Sequence, residues 1–431
     1  MKDIQYTAND GRISVYKYDT DRFKSENITV YFDLPANREK SVARSLLLSV
    51  LKRGTEKYPS QKNINERLDE LYATLVNLKN QKFDGVQLLG ISADVICPFY
   101  TENGEDLLPD ALEVISQMIY HPNFDESAGR FKKEYIQGEK ENYKSIILSQ
   151  INEPRTYAAI RCREEMFASL GILEKLDTMC DRIDAVSDED IYNCYLELVN
   201  EAKIIIFYVG NRSVDEIYQE VSKMATVGCD ENGKSKDIYP KLLLNVDEPN
   251  VIIESSDISQ GRLVMGLNCG ITWRDSEYYA MLLCNEILGA SPISKLMMNV
   301  REAMSLCYEC SSVYNSARGA IFVTTGIDSE NFELAKDAIL AQVEDIKNSK
   351  ISVTEFEAAK KSILNVYSAV ADSPNAIERF YLGRIVNGID TDISEFIEKI
   401  NALTTEQVVE AAKKIVPHTI YFLRGEGESD E

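Results

Sequence analysis

Histidine is nearly absent from this sequence: among 431 residues there are two, His121 and His418. Neither has a second histidine or a cysteine close to it in the chain. A cysteine or serine nucleophile in a catalytic arrangement usually needs a histidine beside it as its base. This scarcity therefore argues against such chemistry, and we interpret both residues as ordinary structural or surface histidines.

Basic residues are also in deficit. The chain has 47 lysines and arginines against 70 aspartates and glutamates, which gives a formal net charge of −23. Binding to nucleic acid requires a basic face that can neutralise phosphates. We therefore expect no nucleic-acid partner, whereas a basic peptide or a basic partner protein would be attracted.

Long apolar runs are missing as well. No stretch approaches the roughly 20 apolar residues that a membrane-spanning helix needs, and the first residues lack the apolar segment of a secretory signal. We therefore expect a cytoplasmic protein with no membrane partner.

Cysteine is present, but in an odd number, nine, and several cysteines lie within apolar runs. This usage is typical of reduced thiols in a core. Cys307 and Cys310 form one C-x-x-C motif. A structural zinc site would need a second such pair, or histidines at ligand spacing, and the sequence has neither.

Strands and helices alternate along the chain, and the second half repeats the order of the first. In the first half, the apolar periodicity predicts strands over 27–33, 85–92 and 203–210, and helices over 42–52, 63–75, 107–120 and 125–141. In the second half, it predicts strands over 261–268, 320–326 and 419–425, and helices over 277–288, 299–306, 331–347 and from 353 onward.

This repetition indicates a duplicated domain, with chance similarity between two unrelated domains as the alternative. We predict an N-terminal domain over 1–225, a linker over 226–250 rich in Gly, Asp, Lys and Pro, and a C-terminal domain over 251–431. The predicted fold class is α/β (α+β). Each domain would be a mixed, mostly antiparallel sheet with helices on one face, and the two domains could enclose a cavity.

Three segments resemble the pitrilysin/insulinase zinc peptidases, the family that includes the mitochondrial processing peptidase. They are Gly54-Thr-Glu-Lys-Tyr-Pro-Ser60, the segment 131–154, and Val300-Arg-Glu302 together with Leu306-Cys-Tyr308. The resemblance extends over nearly the whole chain and implies the clam-shell arrangement of two domains found in these metalloproteases.

Active members of this family carry the motif H-x-x-E-H on a helix. Its two histidines lie on one helix face and bind zinc, and its glutamate takes a proton from the zinc-bound water. Counting back from Gly54-Thr55, the resemblance places Ser45, Leu48 and Ser49 at these positions. Serine hydroxyls are poor zinc ligands and leucine has no proton to exchange, so we expect no metal here and zinc only in a partner subunit.

Other positions of the family's site carry suitable residues. Glu134 and Glu141 match two glutamates seven residues apart, of which the second binds zinc; the alternative is an ordinary solvated helix surface. Arg301 and Tyr308 match an arginine and a tyrosine that contact the substrate backbone; the alternative is a local ion pair and simple packing. Peptides bound by this family usually lie along an exposed strand edge.

Three functions follow from these observations. The first is a non-catalytic, zinc-peptidase-like subunit that binds peptides in a chamber. It would pair with an active sister metallopeptidase, as similar bacterial proteins do, or with a second copy of itself. The second is an active or weakly active metallopeptidase with a non-standard site, although the sequence has no G-x-S-x-G motif and no glycine-rich phosphate loop. The third is a structural subunit resembling the core proteins of the respiratory cytochrome bc1 complex. We favour the first.

Overall fold

The computed structural model of the protein describes residues 3–8, 11–83, 85–171, 173–224 and 248–425. Most of the predicted linker, 226–250, lies outside these residues. The strands within them are β1 Ile4–Ala8, β2 Ile13–Asp19, β3 Ser25–Pro35, β4 Leu75–Phe83, β5 Val86–Ile96, β6 Phe124–Asp125, β7 Arg130–Phe131, β8 Lys203–Gly210, β9 Asn250–Ser256, β10 Gly261–Asn268, β11 Cys307–Asn315, β12 Ala320–Ile327 and β13 Val416–Gly425.

The helices complete this framework. The α-helices are α1 Ser41–Leu51, α2 Gln61–Glu70, α3 Leu108–Tyr120, α4 Lys133–Ile151, α5 Pro154–Met166, α6 Met179–Ala185, α7 Asp188–Glu201, α8 Val214–Ser222, α9 Tyr278–Asn285, α10 Phe332–Lys347, α11 Val353–Ser368, α12 Pro374–Asn387, α13 Ile393–Asn401 and α14 Thr405–Ala412. Two segments are π-helical, Glu286–Ala290 and Leu296–Ala303. Short 3₁₀ turns lie at Pro98–Tyr100, Ala168–Leu170, Leu176–Thr178, Ser329–Asn331 and Ala369–Asp372. In the part of the chain described above, no helix combines the length and the apolar character needed to cross a membrane.

The strands form two larger sheets, as the predicted fold class requires. One has six strands in the order β1-β2-β8-β3-β5-β4, and the other has five in the order β11-β12-β10-β13-β9. In the first sheet only β2 and β8 run parallel, and in the second only β9 and β13 do. Both sheets are therefore mixed and mostly antiparallel, which confirms the prediction.

The described residues fall into two compact units, and neither unit is continuous in sequence. Unit 1 takes its residues from Met1–Ser145, Met179–Tyr239 and Val370–Asp392. Unit 2 takes its residues from Ile146–Thr178, Pro240–Ala369 and Ile393–Glu431. Each sheet is thus covered in part by a helical segment that belongs to the other half of the sequence. The boundaries 1–225 and 251–431 concern the sequence repeat and stay a prediction.

In unit 1 the central strands are buried along their whole length. Residues 26–32 of β3 and 204–210 of β8 are all buried, so both faces of this sheet are covered. On one face α12 contributes Leu382, which packs on Tyr31, Val86 and Leu88. We predicted helices on one face of each sheet, and α12 is an additional helix that packs on the six-stranded sheet.

A buried carboxylate fixes α12 to this sheet. Glu378 is buried and accepts hydrogen bonds from the Tyr31 hydroxyl at 3.0 Å and the Lys79 ammonium at 3.4 Å. Burial, together with the negative charge of Glu378, raises the pKa of Tyr31. A buried carboxylate is tolerated only when such donors compensate its lost hydration, so these contacts specify where α12 docks.

In unit 2, helix α5 packs on the five-stranded sheet. Ala158 and Cys162 of α5 form a buried cluster with Val264 of β10 and with Tyr421 and Leu423 of β13. These small side chains on α5 let the helix lie close to the large residues of the sheet. The segment that carries α5 therefore belongs to the core of unit 2.

Two predicted helices differ from the observed ones at their ends. The helix predicted over 63–75 ends at Glu70, because Tyr72 and Ala73 adopt positive φ angles and turn the chain into β4. The helix predicted from residue 125 begins only at Lys133, because 124–125 and 130–131 pair as the hairpin β6–β7. Neither β4 nor β11 was predicted.

Candidate functional site

Helix α1 carries the three positions that the sequence resemblance aligns with the H-x-x-E-H motif. Ser45 is half-buried; its hydroxyl donates to the Ser41 carbonyl at 2.9 Å and accepts from the Asn80 amide at 2.8 Å. Leu48 is buried, and Ser49 is half-buried one residue further on. A hydroxyl that donates to its own helix backbone and an aliphatic side chain offer a cation no anionic or imidazole ligand.

Ion pairs hold α1 in place from its inner side. The Arg44 guanidinium is buried and donates to the Pro35 carbonyl at 2.7 Å and to Glu197 of α7 at 3.1 Å. Lys40, just before α1, binds the same carboxylate at 3.2 Å. The loop after α1 turns at Gly54, where a β carbon would lie 2.6 Å from the Pro59 carbonyl oxygen. Only glycine permits this close approach.

Helix α4 carries the two glutamates of the predicted site, and both are exposed. Glu141 accepts from the Gln137 amide at 2.6 Å and pairs with Lys144 at 3.1 Å, so its contacts lie within its own helix. Glu134 and Glu141 thus lie on an exposed part of the α4 surface.

The inward-facing residues of α4 are different ones. Glu139 forms an ion pair with Arg53, which follows α1. Lys140 is buried and donates to the carbonyls of Asp184 at 3.0 Å and Val186 at 2.6 Å, at the C-terminal end of α6. A cation favours this end of a helix, where carbonyls lack partners. These contacts make α4 a structural support of unit 1.

The residues at these positions do not fit a zinc ion. Zinc in proteins takes three or four ligands from thiolate, imidazole and carboxylate groups at about 2.0–2.3 Å. Across the described ranges, no group of three or more His, Cys, Asp and Glu side chains could hold a metal. No step of a reaction is therefore assigned to zinc in this chain.

The two histidines have local contacts. His121 is exposed, and its Nδ1 lies 3.5 Å from a carboxylate oxygen of Glu56. His418 is buried, with its Nδ1 2.8 Å from the Thr419 hydroxyl, and burial lowers the pKa of its imidazole. Both sets of contacts agree with the interpretation of these residues as structural or surface histidines.

Arg301 lies on the π-helical segment Leu296–Ala303 of unit 2. One guanidinium nitrogen lies 2.6 Å from a Glu302 carboxylate oxygen and 3.4 Å from the Met297 sulfur. The guanidinium is also partly exposed. The local ion pair considered as the alternative is therefore present, and it leaves donors of Arg301 accessible, because a guanidinium has five N–H groups.

Tyr308 lies on β11, the edge strand of the five-stranded sheet, and its side chain is 83% exposed. A β carbon at Gly289, in the other π-helical segment, would lie 2.8 Å from the Ser312 backbone nitrogen, so glycine allows that segment to support β11 closely. β11 is thus held firmly on its inner side while Tyr308 projects into solvent.

Arg301 and Tyr308 line one open cleft of about 370 Å³. Its other lining residues are Gln260, Glu302, Ser305, Leu306, Cys307 and Asp328. The structure thus brings together the two residues that the sequence assigned to substrate binding. It also adds acidic groups, Glu302 and Asp328, that the sequence reasoning did not select.

Comparisons with known proteins find relatives that are described as inactive. Residues 185–363 match the family model described as "Peptidase M16 inactive domain". The probable inactive metalloprotease YmfF of Bacillus subtilis is 26% identical over 425 residues, which cover 97% of this chain and 97% of that protein. The chain is thus similar to inactive-type members of the pitrilysin/insulinase peptidase family, through this family-model match and over nearly its whole length to YmfF.

Two further relatives extend the comparison. The uncharacterized zinc protease YmxG of Bacillus subtilis is 21% identical over 313 residues, which cover 71% of this chain and 72% of that protein. The crystal structure of a conserved protein from Enterococcus faecalis V583 has a TM-score of 0.88 at 27% identity, covering 99% of this chain and all of that one. The fold of that conserved protein therefore extends over nearly the whole length of this chain.

The most informative feature of the site that the sequence did not reveal is the strand β11. Cys310 and Ser312 are buried while Tyr308 and Val313 are exposed, so the strand has one packed and one open side. β11 was not recognised as a strand because it is polar: Glu309, Ser311 and Ser312 interrupt any apolar run. Side chains of a strand point alternately to its two sides. A search for this two-residue alternation that does not require apolar residues is the signal that could have found β11.

Proposed function

We propose that this chain is a non-catalytic, peptidase-like subunit that binds extended peptides along β11 and works with an active sister metallopeptidase. The observation that carries the proposal is the exposed edge of β11 beside the cleft of Arg301 and Tyr308. Within the described residues, β12 is the one strand that pairs with β11. The main-chain groups on its other side are therefore free to pair with an added strand.

Side chains on β11 and near it support binding of a peptide backbone. Tyr308 and Val313 present exposed apolar surface along the strand, and Arg301 offers donors to peptide carbonyls. Strand addition takes most of its affinity from main-chain hydrogen bonds, so it tolerates many peptide sequences. The net charge of −23 favours peptides that carry lysine or arginine.

The test is peptide binding by the purified full-length chain, measured by fluorescence anisotropy with labelled, extended, lysine-containing peptides. We expect saturable binding that Tyr308→Ala weakens by about tenfold, because an exposed aromatic anchor contributes more than about 1 kcal/mol. Arg301→Ala is expected to weaken binding by a similar factor, because a charged hydrogen bond to a carbonyl is lost.

Phe99 offers a matched control, since it is an aromatic residue that is 87% exposed and lies outside the strands. Phe99→Ala is expected to leave the dissociation constant unchanged. The proposal fails if the wild-type chain binds no peptide, or if the Tyr308 and Phe99 variants bind as tightly as each other.

A sister peptidase is supported by the relatives. The two Bacillus subtilis proteins above are named as a probable inactive metalloprotease and as a zinc protease, so one bacterium carries both kinds. A chain whose described residues include no metal-binding group would complement such a partner by holding the peptide, because positioning a substrate can supply a large part of a rate enhancement.

A further inference from the structure

The C-x-x-C motif lies in an irregular part of β11. Cys307 is opposite Ile327 and Cys310 is opposite Thr325, so three steps along β11 match two steps along β12. In a regular strand, residues three apart point to opposite faces of the sheet. The extra residue of this bulge changes that parity and turns both sulfurs to the same side.

The two sulfurs therefore lie on one side of β11. Thr325, which is opposite Cys310 on β12, shares that side. Cys307 is half-buried and lines the cleft with Arg301, whereas Cys310 is buried behind it. One accessible sulfur backed by one buried sulfur is the arrangement used in thiol–disulfide exchange, where the first attacks and the second resolves.

Charge and hydrogen bonding favour reactivity at Cys307. The hydrogen bond from Cys310, with a smaller contribution from the Arg301 charge, lowers the pKa of Cys307 to about 7, although burial and Glu309 oppose this. The same contact raises the pKa of Cys310. Burial raises the pKa of Cys162, Cys269 and Cys284 to about 12. Those thiols therefore stay protonated and inert at neutral pH.

We infer that Cys307 and Cys310 are a reversible dithiol–disulfide pair that exchanges with low-molecular-weight disulfides such as oxidised glutathione. The β11 bulge, which places both cysteines on one side of the strand with Cys307 in the cleft and Cys310 buried, carries this inference. Two thiols alone do not complete a zinc site, and the described residues around them supply no third ligand. The inference does not depend on peptide binding.

The chemistry balances in two steps. The Cys307 thiolate attacks one sulfur of oxidised glutathione, which forms a mixed disulfide and releases one glutathione thiolate. The Cys310 thiol then gives its proton to that thiolate, and its sulfur attacks the Cys307 sulfur and releases the second glutathione. Two protein thiols are oxidised to one disulfide, and one glutathione disulfide is reduced to two thiols.

The test uses the reduced full-length chain, equilibrated in buffers with increasing ratios of oxidised to reduced glutathione. After acid quenching and blocking of free thiols, mass spectrometry is expected to find a Cys307–Cys310 linkage, with the intact mass lower by two hydrogens. In Cys310→Ala the reaction is expected to stop at glutathione attached to Cys307. In Cys307→Ala neither product is expected, because Cys310 is buried.

Alkylation rates give an independent measurement on the folded protein. At pH 7 iodoacetamide is expected to react with Cys307 at least about tenfold faster than with Cys97, because more of Cys307 is thiolate. Cys97 is the matched control: it is also half-buried, and burial raises the pKa of its thiol. Cys97→Ala should leave the glutathione titration unchanged. The inference is wrong if both motif thiols stay free at every glutathione ratio, or if Cys97 reacts as fast as Cys307.

Discussion

Replacing Arg212 with alanine is expected to lower the free energy of unfolding by about 3–5 kcal/mol. The guanidinium binds buried Glu26 at 2.6 and 2.7 Å and Asp106 at 2.7 and 2.9 Å. The Tyr208 hydroxyl also donates to Glu26 at 2.6 Å. Without Arg212, the Glu26 carboxylate would stay buried beside Tyr208 with its charge uncompensated, which is the costly way to break a buried ion pair.

Urea denaturation followed by circular dichroism measures this loss, and Arg22→Ala provides the matched control. Arg22 pairs with Asp372 at 2.6 Å, but both side chains are exposed, so its removal is expected to cost about 0–1 kcal/mol. If the two variants lost equal amounts of unfolding free energy, burial of the ion pair would not be the cause of the larger effect expected for Arg212.

The difference between wild type and Arg212→Ala is expected to depend on pH. The hydrogen bonds from Arg212 lower the pKa of Asp106 in the folded protein. A carboxyl group with a lowered pKa contributes stability above its ordinary pKa of about 3.9, and this contribution is lost as the pH falls below that value. The Asp106 part of the difference should therefore be complete at neutral pH and disappear in acid.

The second large effect is expected in a reconstituted pair. A sister chain with an intact H-x-x-E-H motif, isolated from the same cells by its association with this chain, is expected to cleave peptides at least about a hundredfold faster in the pair than alone. The expected cause is positioning of the peptide by this chain, which can supply several kcal/mol of a barrier reduction. The measurement is kcat/KM for one labelled peptide, with and without this chain.

Variants separate positioning from simple stabilisation of the partner. Tyr308→Ala in this chain should lower kcat/KM of the pair, Phe99→Ala should not, and replacing the motif glutamate of the partner with glutamine should abolish turnover. If the partner is equally active alone, or if the Tyr308 and Phe99 variants behave alike, this chain does not position substrate.

The central elements of the fold were predictable because their local patterns agree with their environment. Continuous apolar runs over 27–33 and 203–210 predicted β3 and β8, which are buried on both faces. At the start of α7, Ser187 and Asp190 form a reciprocal capping box, and a serine followed three residues later by an acidic residue is readable in the sequence as a helix start. The edge strands β4 and β11 were missed because an edge strand needs few apolar residues and is commonly polar.

The unit to which each of the helices α5 and α12 belongs could not be predicted in this way. An amphipathic pattern shows that α5 and α12 each bury a face, but it does not identify the sheet that receives that face. The placement of Cys307 and Cys310 on one side of β11 was likewise not predictable, because it depends on a bulge in the pairing of β11 with β12. In contrast, Arg301 and Tyr308 were selected by resemblance, and they do line one cleft.

Helix α1 presents Ser45, Leu48 and Ser49 at the positions that the family resemblance aligns with the zinc-binding histidines and the catalytic glutamate. The direct measurement is the zinc content of the purified full-length chain, by elemental analysis after incubation with zinc and dialysis, together with peptide hydrolysis with and without a chelator. We expect zinc well below one ion per chain and no chelator-sensitive hydrolysis by the chain alone. One retained zinc ion per chain, accompanied by hydrolysis that a chelator abolishes, would contradict this expectation.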